Sequence, residues 1–364
     1  MRTGAGVEKT IVNPALQTCP PPIFLICSER SGSNLISAMM GAHSGIYSHP
    51  PYHLGRDILL NLPRTLAGGV TGPAWKILCA HAVERVRKYR NPAEADRLEA
   101  WFSARDRIDP VEIAAFLWQE LPEEAKGRHV FVKENNLHHL LPFLLTAFPD
   151  AKYVFQTRDP RDFLASAKAL RKRWMGNKFG SLRQALTIWR DDQKGGLAAL
   201  ALLGPERVCL VRYEDLVSDA SVQLERVCAF LGLAFEPAML DFHASDAARR
   251  VAATIGAREN IAKPLMTGNF RKYRKSLSRR DIRSTEAFLG DLMDQLGYPC
   301  DYPRRPGRPS FWPGFRPQLT EMFERLANKE IGPFYKHGQR SMTRALDAAT
   351  VPLCPPIPDT QDRA

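Results

Sequence analysis

Long hydrophobic runs and closely spaced cysteines are both missing from this chain. No stretch of about 18 apolar residues occurs, and no apolar secretion-signal core stands near the start, so we expect no membrane anchor. The seven cysteines form no C-x-x-C pair, and Cys27, Cys209 and Cys228 lie in apolar segments. This pattern favours reduced, core-filling thiols and a cytoplasmic location. Because the adjacent His138 and His139 lack the spacing of a helical zinc site, we expect no metal.

Negative charge is also in short supply. The 364 residues contain 51 lysines and arginines against 39 acidic residues, a net charge of +12. Such a balance suits an anionic partner, which is a phosphorylated nucleotide, a nucleic acid or an acidic carrier protein. The length and the 44% hydrophobic content are sufficient for one sizeable core.

Residues 23–35, IFLICSERSGSNL, are the most informative segment. An apolar run typical of a strand leads into a small polar loop, and an apolar-periodic segment typical of a helix follows. Such a unit directs backbone N–H groups and the positive end of a helix at one place, where phosphate-like anions bind. Arg30 adds a forked cationic donor. The loop lacks the G-x-x-x-x-G-K-[ST] pattern, which excludes the usual ATP or GTP loop and argues against a kinase-like enzyme.

This loop resembles the 5′-phosphosulfate loop of the sulfotransferases, which use 3′-phosphoadenosine 5′-phosphosulfate (PAPS) as sulfonate donor. Arg30, Ser31, Gly32, Ser33 and Asn34 match the pattern of that loop. The resemblance implies that Arg30 stabilises the bridging oxygen of the donor as its bond breaks. It also implies that the N–H groups from Gly32 to Asn34 hold the 5′-phosphate and the sulfonate.

A second strand–turn–helix pattern occupies residues 151–166. It looks like the 3′-phosphate motif of the same family, in which an arginine at the strand end and a serine eight residues later bind the phosphate that is specific to PAPS. Arg158 and Ser166 have this spacing. The alternative is a surface ion pair between Arg158 and Asp159 at a helix start.

Two further motifs follow in the order that the family requires. Tyr-Glu-Asp-Leu follows a strand predicted over 208–212. The resemblance places Tyr213, the first of these residues, near the adenine. The alternative is that this tyrosine is partly buried and closes the sheet. Residues 263–273 resemble the C-terminal loop that covers the donor, with Lys263 at the first basic position. The second basic residue and the first glycine of that loop are missing here, so Arg271 and Lys272 are candidate substitutes.

The catalytic candidates lie near the end of the strand predicted at 129–133 and after the first helix. Lys133 matches the lysine of the family's K-x-H element and is expected to be a second cation near the transferred group, but Asn135 replaces the histidine. Asparagine cannot accept a proton, so the base must come from elsewhere. Our first candidate is His53, in a segment similar to the Pro-Pro-x-x-His-Leu region of polyketide-synthase sulfotransferase domains. Glu134 is the second, and each has a purely structural alternative as a loop histidine or an outward strand residue.

Strands and helices alternate along the chain. Strands are predicted at 22–27, 129–133, 152–157 and 208–212, and helices at 34–41, 138–148, 162–172, 181–203 and 219–231. This order predicts a three-layer α/β/α fold with a central parallel sheet, and the resemblance makes it the P-loop-like sulfotransferase fold. Arg30, Lys133, Arg158 and Arg212 then emerge together at the carboxyl ends of the strands.

We expect a sulfotransferase domain over residues 1–300, with a helical insertion at about 54–126 acting as a cap on the substrate side. The extension 301–364 is expected to contain one helix, near 316–329, and a flexible tail. Trp75, Trp101 and Trp118 in the insertion line an acceptor pocket or, more simply, belong to the core.

The predicted activity is sulfonate transfer from PAPS to a hydroxyl of an organic acceptor. The acceptor is a small metabolite, a lipid, a saccharide or a carrier-bound acyl chain, and no nucleic acid or metal is expected; the oligomeric state stays open. The alternative from another class is a non-enzymatic protein whose basic surface binds nucleic acid or an acidic partner.

Overall fold

The computed structural model describes residues 19–174, 179, 181–245, 248–249, 252 and 260–303. The predicted helix near 316–329 and almost all of the extension 301–364 lie outside these residues.

A parallel sheet forms the centre of the described structure. Its strands are β1 (Ile23–Cys27), β2 (Ile46–Ser48), β3 (His129–Val132), β4 (Lys152–Thr157) and β5 (Val208–Arg212). The order across the sheet is β2-β3-β1-β4-β5, and every neighbouring pair is parallel. β1 is fully buried, as expected for a central strand covered on both faces. The predicted three-layer α/β class is confirmed.

The register of the strands brings their carboxyl ends to one edge. Cys27 at the end of β1 pairs with Gln156, and Thr157 at the end of β4 pairs with Arg212 at the end of β5. β3 lies on the other side of β1. The chain moves from β3 to β4 across β1, so the loops that follow these strands flank the crevice where ligands bind in open α/β sheets.

Helices cover both faces of this sheet. In the described residues they are α1 (Ser33–Gly41), α2 (Leu54–Thr65), α3 (Pro73–Tyr89), α4 (Pro92–Ser103), α5 (Pro110–Ala115), α6 (Leu141–Ala147), α7 (Pro160–Trp174), α8 (Leu182–Leu203), α9 (Tyr213–Ser218), α10 (Ala220–Leu231), α11 (Tyr273–Ser276) and α12 (Arg279–Gln295). The helix predicted at 138–148 is a 3₁₀ turn, Leu137–Leu140, followed by α6. None of the helices in the described part of the chain is long and apolar enough to cross a bilayer.

The insertion between β2 and β3 is helical, as predicted, and consists of α2 to α5 with a π-helical turn, Phe116–Glu120. Its tryptophans Trp75, Trp101 and Trp118 are 2%, 8% and 1% exposed and belong to the hydrophobic core. They therefore do not line an acceptor pocket.

The cysteines of the apolar segments fill the interior. Cys27, Cys209 and Cys228 are buried and unpaired, as expected from the sequence. Burial raises the pKa of Cys228 to about 11, so this thiol stays protonated at neutral pH.

Candidate active site

The loop after β1 is a compact turn whose backbone faces the start of α1. Gly32, the N-cap of α1, has φ +86°, and a Cβ there would lie 2.2 Å from Cδ2 of Tyr213. Both the left-handed conformation and the adjacent ring require glycine. The Ser31 hydroxyl donates to the Ser28 carbonyl oxygen (2.7 Å), and Gln193 of α8 donates to the Ser28 hydroxyl (2.7 Å). α1 has no side-chain cap and no acidic residue in its first turn, which suits an anion at its N-terminus.

Arg30, Arg158 and Ser166 meet at this edge of the sheet. Nε of Arg30 donates to the Ser166 hydroxyl (3.1 Å), and Nη1 of Arg158 donates to the Arg30 carbonyl oxygen (3.0 Å). Burial, and then the nearby Arg158 charge, lower the pKa of Arg30. Nε of Arg158 is buried without a hydrogen-bond partner. Two cations held side by side, one with an unused donor, form a site that an anion would stabilise.

The structure thus joins the two sequence motifs directly. In this conformation the Arg30 side chain lies at the Arg158–Ser166 pair, whereas the sequence assigns it to the opposite, 5′-phosphosulfate end of the donor. The surface ion pair considered for Arg158 and Asp159 is not formed, because the Asp159 carboxylate accepts hydrogen bonds from Arg161 instead.

Tyr213 packs between the two motifs. Its ring lies beneath the Arg158 guanidinium, 4.5 Å from Cζ to the ring centroid, and against Gly32. Its hydroxyl accepts a hydrogen bond from Asn269 (2.8 Å), and burial raises the pKa of the phenol. The neutral phenol of Tyr213 therefore packs beneath Arg158 and against Gly32. Its contact with an adenine stays a prediction.

The predicted lid is anchored to the start of α7. The Asp162 carboxylate accepts the main-chain N–H groups of Arg271 (2.6 Å) and Tyr273 (2.9 Å). Lys263 and Lys272 are exposed, and among the contacts of the described residues neither reaches the β1 loop. The structure thus brings the Arg271 backbone close to the start of α7, which follows Arg158, and leaves the two lysines exposed.

Lys133 is buried at the end of β3, next to the β1 loop. Its ammonium group donates to Oδ1 of Asn135 (3.2 Å), and the Asn135 amide donates to a carboxylate oxygen of Glu29 (2.7 Å). The Lys133 charge acts to lower the pKa of the Cys27 thiol at the end of β1, against the larger effect of burial. Lys133 therefore lies beside the loop that carries Arg30, and its role as a second cation near the transferred group stays a prediction.

His53 is the N-cap of α2 and adopts a left-handed conformation, φ 55°. Its Nδ1 accepts the main-chain N–H of Asn135 (3.2 Å), so the neutral imidazole carries its hydrogen on Nε2. To act as a base, His53 must release this bond, because Nδ1 carries the lone pair that would take the proton. Ligand-free structures often show catalytic hydrogen bonds that change when substrate binds.

Glu134 has a different environment from His53. Its carboxylate accepts the main-chain N–H groups of Gly55 (3.0 Å) and Arg56 (2.5 Å), and the Trp118 indole donates at 3.4 Å. Burial raises the pKa of this carboxyl, and the hydrogen bonds act in the opposite direction. Both oxygens are thus directed at the N-terminus of α2, the helix that carries His53. This arrangement suits a cap better than a base.

The sequence analysis gave no role to Glu29. It noted Asn135 only because this residue replaces the histidine of the K-x-H element and cannot act as a base. Glu29 precedes Arg30 in the same loop, a signal that was present in the sequence. The contact of Gln193 with Ser28 depends on the packing of α8, so no local sequence pattern predicts it.

A strand–loop–helix cradle at the carboxyl edge of a parallel sheet is the general architecture of phosphate-binding α/β proteins. Residues 21–237, more than half of the chain, match the profile of the sulfotransferase family. The chain therefore belongs to the sulfotransferase family. Membership in an enzyme family disfavours the non-enzymatic binding protein considered from the sequence.

Individual relatives are distant. The chain is 24% identical over 302 residues to the nodulation protein NoeE of Sinorhizobium fredii, covering 76% of this chain and 65% of that protein. It is 22% identical over 296 residues to the protein-tyrosine sulfotransferase of Drosophila melanogaster, covering 80% and 54%. The chain thus spans less than two thirds of the length of these relatives.

Among solved structures, the sulfotransferase domain of the Synechococcus PCC 7002 olefin synthase is similar. The match has a TM-score of 0.54 and 24% identity, and it covers 75% of this chain and 95% of that domain. At this identity the likeness concerns the fold, which agrees with the sheet described above.

Proposed function

We propose that the protein is a sulfotransferase that moves a sulfonate group from PAPS to a hydroxyl of an organic acceptor. The observation that carries this proposal is the meeting of Arg30, Arg158 and Ser166 at adjacent strand ends, beside the uncapped start of α1. The buried, unpartnered Nε of Arg158 fits a phosphate oxygen, since a guanidinium binds phosphate through parallel donors.

The donor is held, in this proposal, at two places. Arg158 and Ser166 bind the 3′-phosphate, with Arg271 and the more distant Lys263 and Lys272 as lid residues, and Tyr213 lies near the adenine. The backbone from Gly32 to Asn34, with Ser31 shaping the turn, binds the 5′ end. Asn34 contributes its main-chain N–H, which lies in the uncapped first turn of α1.

The transfer step is an in-line displacement at sulfur. The acceptor oxygen forms a bond to sulfur while the bond from sulfur to the bridging oxygen breaks. Lys133 stabilises the negative charge on the leaving 3′-phosphoadenosine 5′-phosphate (PAP), and Arg30 does so once its side chain has left Ser166. His53 takes the hydroxyl proton, and the products are a sulfate ester and PAP. The contacts of Glu134 with α2 favour His53 as the base.

For the acceptor, the proposal names a binding region and a set of compound classes. We assign the domain to residues 1–300 and the acceptor-side cap to the helical insertion 54–126, because His53, the N-cap of α2, contacts Asn135, which binds Lys133. The unpaired, buried cysteines are typical of a reducing compartment, so we propose a cytoplasmic location. Small metabolites, lipids, saccharides and carrier-bound chains remain candidate acceptors, and the reaction needs no metal.

Nucleotide preference tests the donor assignment. Thermal unfolding is measured with PAP, with AMP and with ATP plus magnesium. PAP should stabilise the protein most, by about 2.7 kcal/mol at a concentration ~100 times its Kd. A preference for ATP with magnesium would refute the proposal, and salt-sensitive DNA binding without PAP stabilisation would support the nucleic-acid alternative.

Incubation with PAPS labelled in its sulfur, together with an extract of the source cells, then identifies the acceptor class. Label should enter an organic product only when active protein is present. Arg158→Ala protein in the same extract is the control for transfer by other enzymes.

A further inference from the structure

Each of the four polar atoms of Asn135 makes a hydrogen bond within the candidate site. Its main-chain N–H donates to His53, and its main-chain oxygen accepts from Nη1 of Arg56 (3.3 Å). Its side-chain oxygen accepts from Lys133 (3.2 Å), and its side-chain nitrogen donates to Glu29 (2.7 Å). The residue is 7% exposed, so these contacts replace contacts with water.

The orientation of the amide follows from the charges on either side. The oxygen faces an ammonium group and the nitrogen faces a carboxylate, so both hydrogen bonds are charge-assisted. The flipped amide would place N–H groups against Lys133 and an oxygen against Glu29, and both contacts would be repulsive. Among side chains of this size, only the amide of asparagine satisfies both neighbours.

We propose that Asn135 is a positioning residue that holds the Lys133 ammonium and the Glu29 carboxylate at defined places beside the anion-binding loop. This inference rests on the proposed function, because Lys133 is assumed to stabilise the departing PAP. Lys133 lies at the end of β3 and Glu29 next to Arg30 in the loop after β1. The amide therefore joins two strand ends across the transfer site, and its loss would let the Lys133 ammonium move relative to sulfur.

Removal of the amide provides the first test. In Asn135→Ala, kcat should fall about 10- to 100-fold, as expected when a charged group is displaced by roughly 1 Å. The affinity for PAP should change less than about threefold, because the Arg158–Ser166 pair that holds the 3′-phosphate is untouched. The readouts are PAP release from PAPS with the acceptor found in the labelling experiment, PAP binding by calorimetry, and the melting temperature.

Asn136→Gly is the matched control. It also removes an amide-to-carboxylate hydrogen bond, from Asn136 to Asp192 (3.2 Å), and glycine accepts the positive φ of 63° at this position. Its turnover should stay near that of the wild type.

Replacement of Asn135 by aspartate distinguishes a positioning role of this residue from a purely structural one. Asn135→Asp keeps the size but sets a second carboxylate against Glu29, with Lys133, Arg56 and His53 as the other charged or titratable groups around it. Two carboxylates at this distance share one proton at low pH, and the shared proton restores the hydrogen bond. The kcat of this variant should therefore gain a falling limb as the pH rises, a limb that wild type and Asn135→Ala lack.

The double variant Glu29→Gln with Asn135→Asp exchanges the amide and the carboxylate, and its kcat should lose the falling limb at high pH.

The inference is overturned if Asn135→Ala turns over like the wild type, or if its loss of kcat is matched by an equal loss of PAP affinity. A wild-type protein that neither binds PAP nor turns over PAPS would instead overturn the proposed function.

Discussion

The proposed function gives the Arg158 guanidinium the task of recognising the 3′-phosphate of the donor. One of its terminal nitrogens is used by the Arg30 carbonyl, its Nε is buried without a partner, and its flat face lies on Tyr213. A guanidinium held in this way loses little further side-chain entropy when it binds an anion.

Arg158→Ala should therefore weaken PAP binding and reduce the preference for PAP over AMP. The loss of charge-assisted hydrogen bonds corresponds to about 1.5–3 kcal/mol, or roughly 10- to 100-fold in Kd. Calorimetric titration of both nucleotides measures the effect. Arg190→Ala, on α8, removes an arginine paired with Asp191 and should leave both affinities unchanged. Equal losses for PAP and AMP would contradict the 3′-phosphate assignment.

His53 and Glu134 are neighbours with different expected phenotypes. His53→Asn is the suitable variant, because asparagine tolerates the left-handed φ of 55° but cannot accept a proton. It should lower kcat by about 10²- to 10⁴-fold with little change in PAP affinity. Glu134→Gln should chiefly lower stability, by about 0.5–2 kcal/mol, since it weakens the cap of α2. A folded but inactive Glu134→Gln beside an active His53→Asn would reverse the choice of base.

At the scale of elements, the strand–loop–helix units were predictable because their signals are local. The apolar runs of β1, β3, β4 and β5 and the periodic segments of α1, α7, α8 and α10 match the predicted ranges within one or two residues at most ends. β2 has three residues, too few to show an alternating pattern, and its position depends on pairing with β3. α12 was missed although Ser278 and Asp281 form a capping box at its start.

The residues of the candidate site also divide into those that a local sequence pattern predicts and those that only the tertiary packing brings together. That Arg30 and Arg158 lie at one edge of the sheet was predictable, because the strand ends of a parallel sheet converge, but the contact of Arg30 with Ser166 was not. The contacts of Glu134 with α2 and of Asn135 with Glu29 were not, since each joins residues about 80 to 106 positions apart through the packing of the insertion and of the β1 loop.

The turn from β1 into α1 should tolerate no side chain at its glycine. Gly32→Ala combines a left-handed strain of about 1–2 kcal/mol with a Cβ 2.2 Å from the Tyr213 ring. We expect a lower melting temperature and PAP binding weakened by more than about tenfold, since the ring displaced from Gly32 also supports Arg158. Gly232→Ala is the matched control, with φ +79° and nothing within 4 Å of the added carbon. It should lower stability only, and an equal effect of both variants on PAP binding would contradict the packing described.

At the scale of the whole molecule, Glu214 connects parts that are distant in the chain. Its carboxyl group, at the start of α9, accepts the main-chain N–H of Asp159 (3.0 Å) after β4 and the hydroxyl of Tyr298 (3.1 Å) beyond α12. Burial, and next the Asp159 charge, raise the pKa of Glu214 from 4.5 to about 7. The folded protein therefore keeps a proton here that the unfolded chain releases.

This difference in pKa makes the stability of the fold depend on pH with a definite sign. Below pH 4.5 both states hold the proton, whereas between 4.5 and about 7 only the folded state does. Stability from this group is thus complete at the acidic end and is lost as the pH rises through about 7, by roughly 3 kcal/mol in all. Glu214→Gln mimics the protonated form at every pH. In urea unfolding, its advantage over the wild type should therefore grow by about that amount across this range. Glu225→Gln, at an exposed position of α10, should give a curve parallel to the wild type. A parallel curve for Glu214→Gln would contradict the raised pKa, because it would show that this carboxyl titrates alike in the folded and unfolded protein.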